Sequence, residues 1–423
     1  MPNIVTLTVD GKSVSAAENS RLLDALRING TEVPSLCYYP HIDPPLGTCR
    51  VCTVLVDGRP TAACTALVQA GSTVVTQDPT LQDQQKAMVE MLFVEGNHFC
   101  PACEKSGDCD LQGLGYQLGI HHNRFPHLFI DRRIDYNPSR IVIEHNRCIR
   151  CRRCVEEVLT DDGMPVFAFA NRGNRTEVAV DYDQERKLSE KQALRAMHIC
   201  PTGAILVSGK SLARPVGDRK YDVGPDHAPV PVPPPTPKPD GPPRKMVIAT
   251  TSLAGCFGCH MSMLDIDLEL LDYFEMIRFD KSPLTDIKSF SGPVDLGLIE
   301  GGCCNSDNVE VLREFRKKCR ILVSVGECAI WGGLPAMRNT VPLKECLETS
   351  YLHSMTSEPD AATIPRHNDI PAILDQVYAC SDVVDIDYFI PGCPPDAHYI
   401  WKVVRNILFG EPFSVLFPEF KYD

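Results

Sequence analysis

Residues 246–259 read MVIATTSLAGCFGC. The run Met246–Thr251 has the length and apolar content of a buried strand, and a glycine-spaced pair, Cys256 and Cys259, follows at once. Helical spacing then takes over at Met261, Leu264, Leu268 and Leu271. Val294–Ile299, Ile321–Val325 and Val384–Ile390 are further short apolar runs, with a helical pattern at Val311, Leu312 and Phe315 between two of them. Strand alternating with helix predicts a parallel sheet with helices on both faces, an α/β domain over residues 246–423. Open parallel sheets build their sites at the carboxyl ends of the strands. Three of the runs lead there into cysteine motifs: Cys256/Cys259, Gly326-Glu327-Cys328-Ala329 and Gly392-Cys393-Pro394-Pro395. Four thiolates from three loops predict one [4Fe–4S] cluster on Cys256, Cys259, Cys328 and Cys393. Glu300 follows the remaining run and should reach the same edge. It is a candidate proton carrier; the alternative is a solvated loop residue.

Upstream, ten of the nineteen residues of Pro225–Pro243 are proline. Such a segment makes neither helix nor central strand and predicts a semi-rigid polyproline spacer, taken as 225–245. It divides the chain, and Met246 reads as the start of a once separate protein, so a fusion is expected.

The first part opens with Val5, Leu7 and Val9 alternating with Thr6 and Thr8, then an Asp10-Gly11 turn, a hairpin signal. Ser20 is placed to cap a helix carrying Leu22, Leu23 and Leu26, closed by Gly30. Val51–Val56 is a further strand ending at Asp57-Gly58. This order suits a small α+β β-grasp domain over 1–79. Residues 80–138 form a second module, mainly helical over 80–125, and 139–224 a compact loop-rich third.

Each of these modules carries its own ligand set. Cys37, Cys49, Cys52 and Cys64 form a C-x11-C-x2-C-x11-C array, which suits a [2Fe–2S] cluster held by loops between strands. Zinc is the alternative, but zinc ribbons show two close pairs rather than one pair flanked by distant singles. Cys100, Cys103 and Cys109 leave one iron of a [4Fe–4S] cube without a ligand, and His98 is the nearest donor. Otherwise His98 only neighbours the site and something else completes it. Cys148, Cys151, Cys154 and the remote Cys200-Pro201 are the bacterial-ferredoxin arrangement. Val158 stands where a two-cluster ferredoxin carries a further cysteine, so one [4Fe–4S] cluster is expected. Cys303, Cys304, Cys319, Cys346 and Cys380 remain; they read as small buried apolar residues, with the Cys303-Cys304 pair the first exception.

Composition narrows the class. Of 423 residues 20 are cysteine, and 55 Asp and Glu against 42 Lys and Arg give a net charge of −13. No basic patch suits nucleic acid. Met1–Asp10 alternates like a strand rather than a secretion signal, and no apolar run approaches the about 18 residues of a membrane span. A cytoplasmic, cluster-binding protein is the expectation. No glycine-rich dinucleotide fingerprint occurs; Gly113-Leu114-Gly115 with Gly119 has the wrong spacing.

Residues 1–210 resemble the diaphorase small subunit of NAD-reducing hydrogenases, itself similar to the N-terminal part of the large iron–sulfur subunit of respiratory complex I. The carriers are the first cysteine array, Gly96-Asn97-His98-Phe99-Cys100-Pro101 through Cys109, and Cys148-Ile149-Arg150-Cys151-Arg152-Arg153-Cys154. In the complex I pattern the histidine lies four residues before the first cysteine, a place held here by Gly96; the shorter His98 spacing is like the hydrogenase branch. The second part resembles the small subunit of cytoplasmic [NiFe] hydrogenases through Leu253–Cys259, Ile299-Glu300-Gly301-Gly302, Gly326–Ala329 with Gly332-Gly333, and Gly392–Pro395. That resemblance implies a flavodoxin-like domain holding the cluster nearest a nickel–iron site, without the two further clusters of periplasmic small subunits. Together they imply an electron relay of a bidirectional NAD-reducing hydrogenase. Its partners would be a large subunit carrying the Ni–Fe site and a diaphorase subunit binding FMN and NAD. A quinone-coupled complex I-like module is the rival, and a non-enzymatic metal or redox-sensing scaffold a rival of another class.

Overall fold

The computed structural model describes residues 3–130, 132–222, 245–358, 362–411, 415 and 417–423. The expected polyproline spacer, Pro225–Pro243, lies outside the described residues. The chain divides into two compact units, Met1–His98 with Cys103–Gly224, and Phe99–Ala102 with Pro225–Asp423.

The first unit begins with strands β1 (Ile4–Val9) and β2 (Lys12–Ala17), helix α1 (Leu22–Ile28), then β3 (Thr53–Val56), β4 (Arg59–Ala62) and β5 (Thr73–Val75). They form one sheet in the order β2-β1-β5-β3-β4, with β5 parallel to β1 and the other neighbours antiparallel. Alternation puts Leu7, Val9, Val54 and Val74 into one core with Leu22, Leu23 and Leu26 of α1. Both β1–β2 and β3–β4 turn through Asp-Gly with positive φ at both positions, as two-residue hairpins require. The expected Ser20 cap is not made. Arg21 occupies the N-cap without a side-chain bond, because the Ser20 hydroxyl donates backwards to the Ala17 carbonyl at 2.6 Å. Strand β3 starts at Thr53 rather than Val51, since the cysteine loop runs through Cys52.

Helices α2 (Pro79–Glu95) and α3 (Asp110–Gln117) follow. Residues 80–125 are therefore helical only at these two places, with the cysteine-bearing loop between them. Next come β6 (Ile134–Asp135), β7 (Ile141–Glu144), α4 (Arg153–Glu157), β8 (Phe167–Ala170), β9 (Glu177–Val180), α5 (Tyr182–Glu185), α6 (Glu190–Ile199) and β10 (Ile205–Val207). The sheet β10-β7-β6 and the hairpin β8-β9 share a core of Ile141, Ile143, Phe167, Ala193, Met197 and Ile205. A capping box, Ser189 with Gln192, starts α6.

The second unit contains β11 (Met246–Ser252), α7 (Gly258–Leu264), α8 (Glu269–Met276), β12 (Ile277–Phe279), β13 (Val294–Glu300) and β14 (Cys303–Asn305). After these come α9 (Ser306–Lys318), β15 (Cys319–Val325), α10 (Glu327–Trp331), α11 (Leu343–Tyr351), β16 (Ile373–Tyr378), β17 (Tyr388–Ile390) and α12 (Ala397–Phe409). The order β12-β11-β13-β15-β17 is parallel throughout. Strand β13 is buried at every position, as a central parallel strand should be. Leu312 and Phe315 of α9 are fully buried with Leu322 of β15.

Two expectations fail here. The run Val384–Ile390 pairs only from Tyr388, because the Val384 N–H turns back to the Cys380 carbonyl at 3.1 Å. The spacing Met261/Leu264/Leu268/Leu271 is not one buried face. The chain breaks between α7 and α8, with Asp267 at φ 55, and Met261, Leu268 and Leu271 are exposed while Met263 and Tyr273 point inward. No helix among the described residues is long and apolar enough to cross a membrane.

Candidate metal centres

The first cysteine set lies in the loop from α1 to β3 and beyond β4. Cys37, Cys52 and Cys64 are buried. The Cys37 N–H points at the Cys49 sulfur at 3.4 Å, and the Cys49 N–H at the Cys37 sulfur at 3.5 Å. Hydrogen bonds from Cys49 and Cys64 drive the Cys37 thiol far below its ordinary value, and one from Cys64 holds Cys52 at about 7. The four sulfurs therefore share one small volume and favour the thiolate form in part, which is the form that binds metal.

Cys148, Cys151, Cys154 and Cys200 line one pocket, with apolar walls such as Ile143 and Ile205. Burial raises all of the first three thiols, Cys148 to about 11, and each also feels the charge of Cys200. Several thiolates cannot coexist in so apolar a space unless cationic metal lies among them. The donor chemistry and the cavity fit an iron–sulfur cluster.

Cys109 caps α3, its sulfur facing the Gln112 N–H at 3.5 Å, and burial pushes it up to about 12, with the charge of Cys103 adding. Cys103 is raised by burial, feels Cys200, and sits where a β-carbon on Gly203 would approach its sulfur to 2.8 Å. The Asp110 N–H donates to the Pro201 carbonyl at 2.8 Å. The loops of the second and third sets are thus in direct contact. The half-buried ring of His98 lies edge-on to Phe93 at 5.6 Å. Desolvation, then the Arg147 charge, push it down to about 3, so the imidazole is neutral, while Leu92 supplies a backbone hydrogen bond. A neutral ring held by one nitrogen keeps the other for a metal. Cys100 is buried at the head of the short turn Cys100–Ala102.

In the second unit Cys256 and Cys259 follow β11, Cys328 follows β15 and Cys393 follows β17, all at carboxyl ends. Their sulfurs feel one another's charge. Burial raises Cys328 to about 12 and Cys393 to about 11, yet Cys256 and Cys393 are exposed residues. Glu300 is not a solvated loop residue: it ends β13 and is 2% exposed. Its Oε2 accepts from the His260 backbone N–H at 3.1 Å and contacts His260 Nδ1. His260 Nε2 meets the Thr250 hydroxyl at 2.9 Å, which meets Ser282 at 2.8 Å. Phe257 stacks on His260 at 4.5 Å.

Among the leftover cysteines, Cys303, Cys319 and Cys380 lie in the apolar core, whereas Cys304 and Cys346 are partly exposed. Sequence reasoning passed over Arg147, Arg153 and Glu327. Arg147 bonds Glu104 at 2.7 Å and offers its carbonyl to Thr202 at 2.7 Å. Glu327 is buried beside Cys328, and burial raises its carboxyl well above the ordinary range. Their only signal was position, inside or next to cysteine motifs.

Four family profiles match in succession. They are a 2Fe-2S iron-sulfur cluster binding domain at residues 3–79 and the NADH-ubiquinone oxidoreductase-G iron-sulfur binding region at 85–124. Then come the ferredoxin-like domain of NADH-quinone oxidoreductase subunit 3 at 139–206 and the 20 Kd subunit of NADH ubiquinone oxidoreductase at 256–407. The gamma subunit of the NAD-reducing hydrogenase HoxS of Cupriavidus necator is 41% identical over 52% of this chain and 94% of its own length. The delta subunit of the same hydrogenase is 47% identical over 42% of this chain and 86% of its own length. One of the subunits of the F420-non-reducing hydrogenase of Methanothermobacter marburgensis is 38% identical over 40% of this chain and 56% of its own length. With both HoxS relatives covered almost end to end, this chain belongs to the NAD-reducing hydrogenase family and joins its gamma-type and delta-type iron–sulfur subunits in one polypeptide.

Proposed function

We propose that the chain relays electrons between a large-subunit partner, where H2 reacts at a nickel–iron site, and a partner that binds flavin and NAD, in the cytoplasm. Iron–sulfur clusters, when bound, supply one-electron carriers whose potentials follow cluster type, charge and exposure. Cys37, Cys49, Cys52 and Cys64 would hold a [2Fe–2S] cluster in a β-grasp domain, 1–79. His98, Cys100, Cys103 and Cys109 would hold a [4Fe–4S] cluster in 80–138, a set that rests on its sequence spacing. Cys148, Cys151, Cys154 and Cys200 would hold another in 139–224. Cys256, Cys259, Cys328 and Cys393 would hold a third in 246–423, whose strand order is that of flavodoxin-like sheets.

The observation that carries this reading is the contact between cysteine loops: Asp110 bonded to Pro201, and the Cys103 sulfur against Gly203. Electron transfer weakens steeply with distance, so a relay needs neighbouring carriers held close. The chain's own residues keep water from the buried sulfurs and fix the loops. At the edge of the second sheet, Glu300 Oε2 would hold the proton it shares with His260 Nδ1 and pass it on when turnover demands.

Iron and labile-sulfide analysis of the purified chain should give about fourteen irons; a zinc-rich, iron-poor protein would overturn the reading. In the complex with its partners, Cys259→Ala should abolish H2-driven NAD reduction and spare NADH-driven dye reduction.

A further inference from the structure

Arg153 precedes Cys154 and is 6% exposed. Its two terminal nitrogens donate to residues beside three other cysteines of the first unit, while its buried Nε makes no hydrogen bond among the described residues. Nη2 donates to the carbonyl of Leu36, the residue before Cys37. Nη1 donates to Asp110 Oδ2 at 3.1 Å, beside Cys109, and to the carbonyl of Ile199 at 3.5 Å, beside Cys200. Its carbon lies 5.7 Å from the Tyr39 ring, two residues past Cys37. Asp110 also takes Lys220, so one carboxylate answers two cations.

We propose that Arg153 is a positioning residue that ties the first, second and third cysteine sets into one rigid relay, and whose charge favours the reduced state of the neighbouring centre. Only a planar fork with five donors reaches three acceptors in different directions; a lysine at the same place has a single nitrogen. A cation beside a centre that gains negative charge on reduction shifts its potential upward. The inference rests on the cluster assignment proposed above.

The test uses the full cluster-loaded chain with Arg153→Lys and Arg153→Gln, read by EPR redox titration and by magnetic broadening between the [2Fe–2S] signal and its neighbour. Arg153→Lys should keep the parent's potentials, because the charge remains, but weaken the broadening, because the fork is gone. Arg153→Gln should weaken the broadening and also lower the reduced-to-oxidised ratio of the Cys148/Cys151/Cys154/Cys200 centre about tenfold at a fixed poise, which is about 59 mV for one electron. If Arg153→Gln does not fold, Arg153→Lys decides alone through the broadening. Parent-like broadening in Arg153→Lys overturns the proposal. A parent chain without its irons would instead bring down the cluster assignment and this inference with it.

Discussion

The two units solve one problem, gathering thiolates, in opposite ways. In the first, most cysteines lie on loops or at helix ends, most of their side chains are buried, and arginines tie these segments together. In the second, a regular parallel sheet delivers the cysteines at strand ends and leaves Cys256 and Cys393 exposed. Loops can enclose a site, but need side-chain bonds to hold them. A sheet edge places its ligands by backbone geometry, so little side-chain support is needed and little enclosure results. Because cluster potentials respond to exposure and charge, the same ligand type is set to different electrostatic surroundings by the two architectures.

If backbone geometry is what places ligands in the second unit, disturbing one backbone position should empty that site. Gly326 has φ +85, bonds the Ile390 carbonyl at 2.8 Å, and a β-carbon there would meet the Cys259 sulfur at 2.3 Å. An alanine is both strained and in collision with a proposed ligand. Gly326→Ala should lose about four of about fourteen irons and leave the first unit's EPR signals unchanged. Iron analysis with EPR checks this; a full complement would show that the edge adapts as loops do.

In the first unit, side-chain support should matter more. Glu185 is fully buried and accepts from the Ser139 N–H at 2.9 Å, the Ser139 hydroxyl at 2.7 Å, and the N–H groups of Arg140 at 2.7 Å and Ile141 at 3.2 Å. Burial alone would raise its pKa, but these bonds outweigh it and hold the carboxyl below the usual 4.5. A depressed folded value means the stabilisation is present above the unfolded pKa and is lost as pH falls through the folded one. Glu185→Gln should cost about 1–3 kcal/mol at pH 7, read as faster amide exchange at Arg140 and Ile141. The gap between variant and parent should close in acid. Equal protection at pH 7 would mean that this loop stands without its carboxylate.

What was legible in the sequence was local. Alternation at Val5, Leu7 and Val9 followed by Asp10-Gly11 fixes a hairpin because both signals act within a few residues. Leu312 and Phe315 reveal α9 because helical period and burial coincide there. The role of Arg153 was not legible: its acceptors at Leu36, Asp110 and Ile199 lie far off in sequence and meet only in the fold. Ser20 failed as a cap for a related reason, its hydroxyl having a nearer acceptor in Ala17. Glu300 was expected at the right edge, yet its partner His260 was passed over, since a contact between the end of β13 and a residue of α7 leaves no periodic trace.

The smallest predicted effect tests the place where periodicity misled. Leu268 and Leu312 are both leucines on apolar helical patterns, but Leu268 is 74% exposed at the head of α8 and Leu312 is 0% exposed in α9. Burial, not hydrophobicity, decides what a leucine contributes. Leu312→Ala should cost about 2–5 kcal/mol from lost contacts and the cavity left behind. Leu268→Ser should stay within about 0.5 kcal/mol of the parent, since it gives up almost no buried area. Denaturant midpoints of the two variants, at unchanged slope, measure both. If Leu268→Ser fell as far as Leu312→Ala, α7 and α8 would share a buried apolar face after all, and the break at Asp267 would have to close in solution.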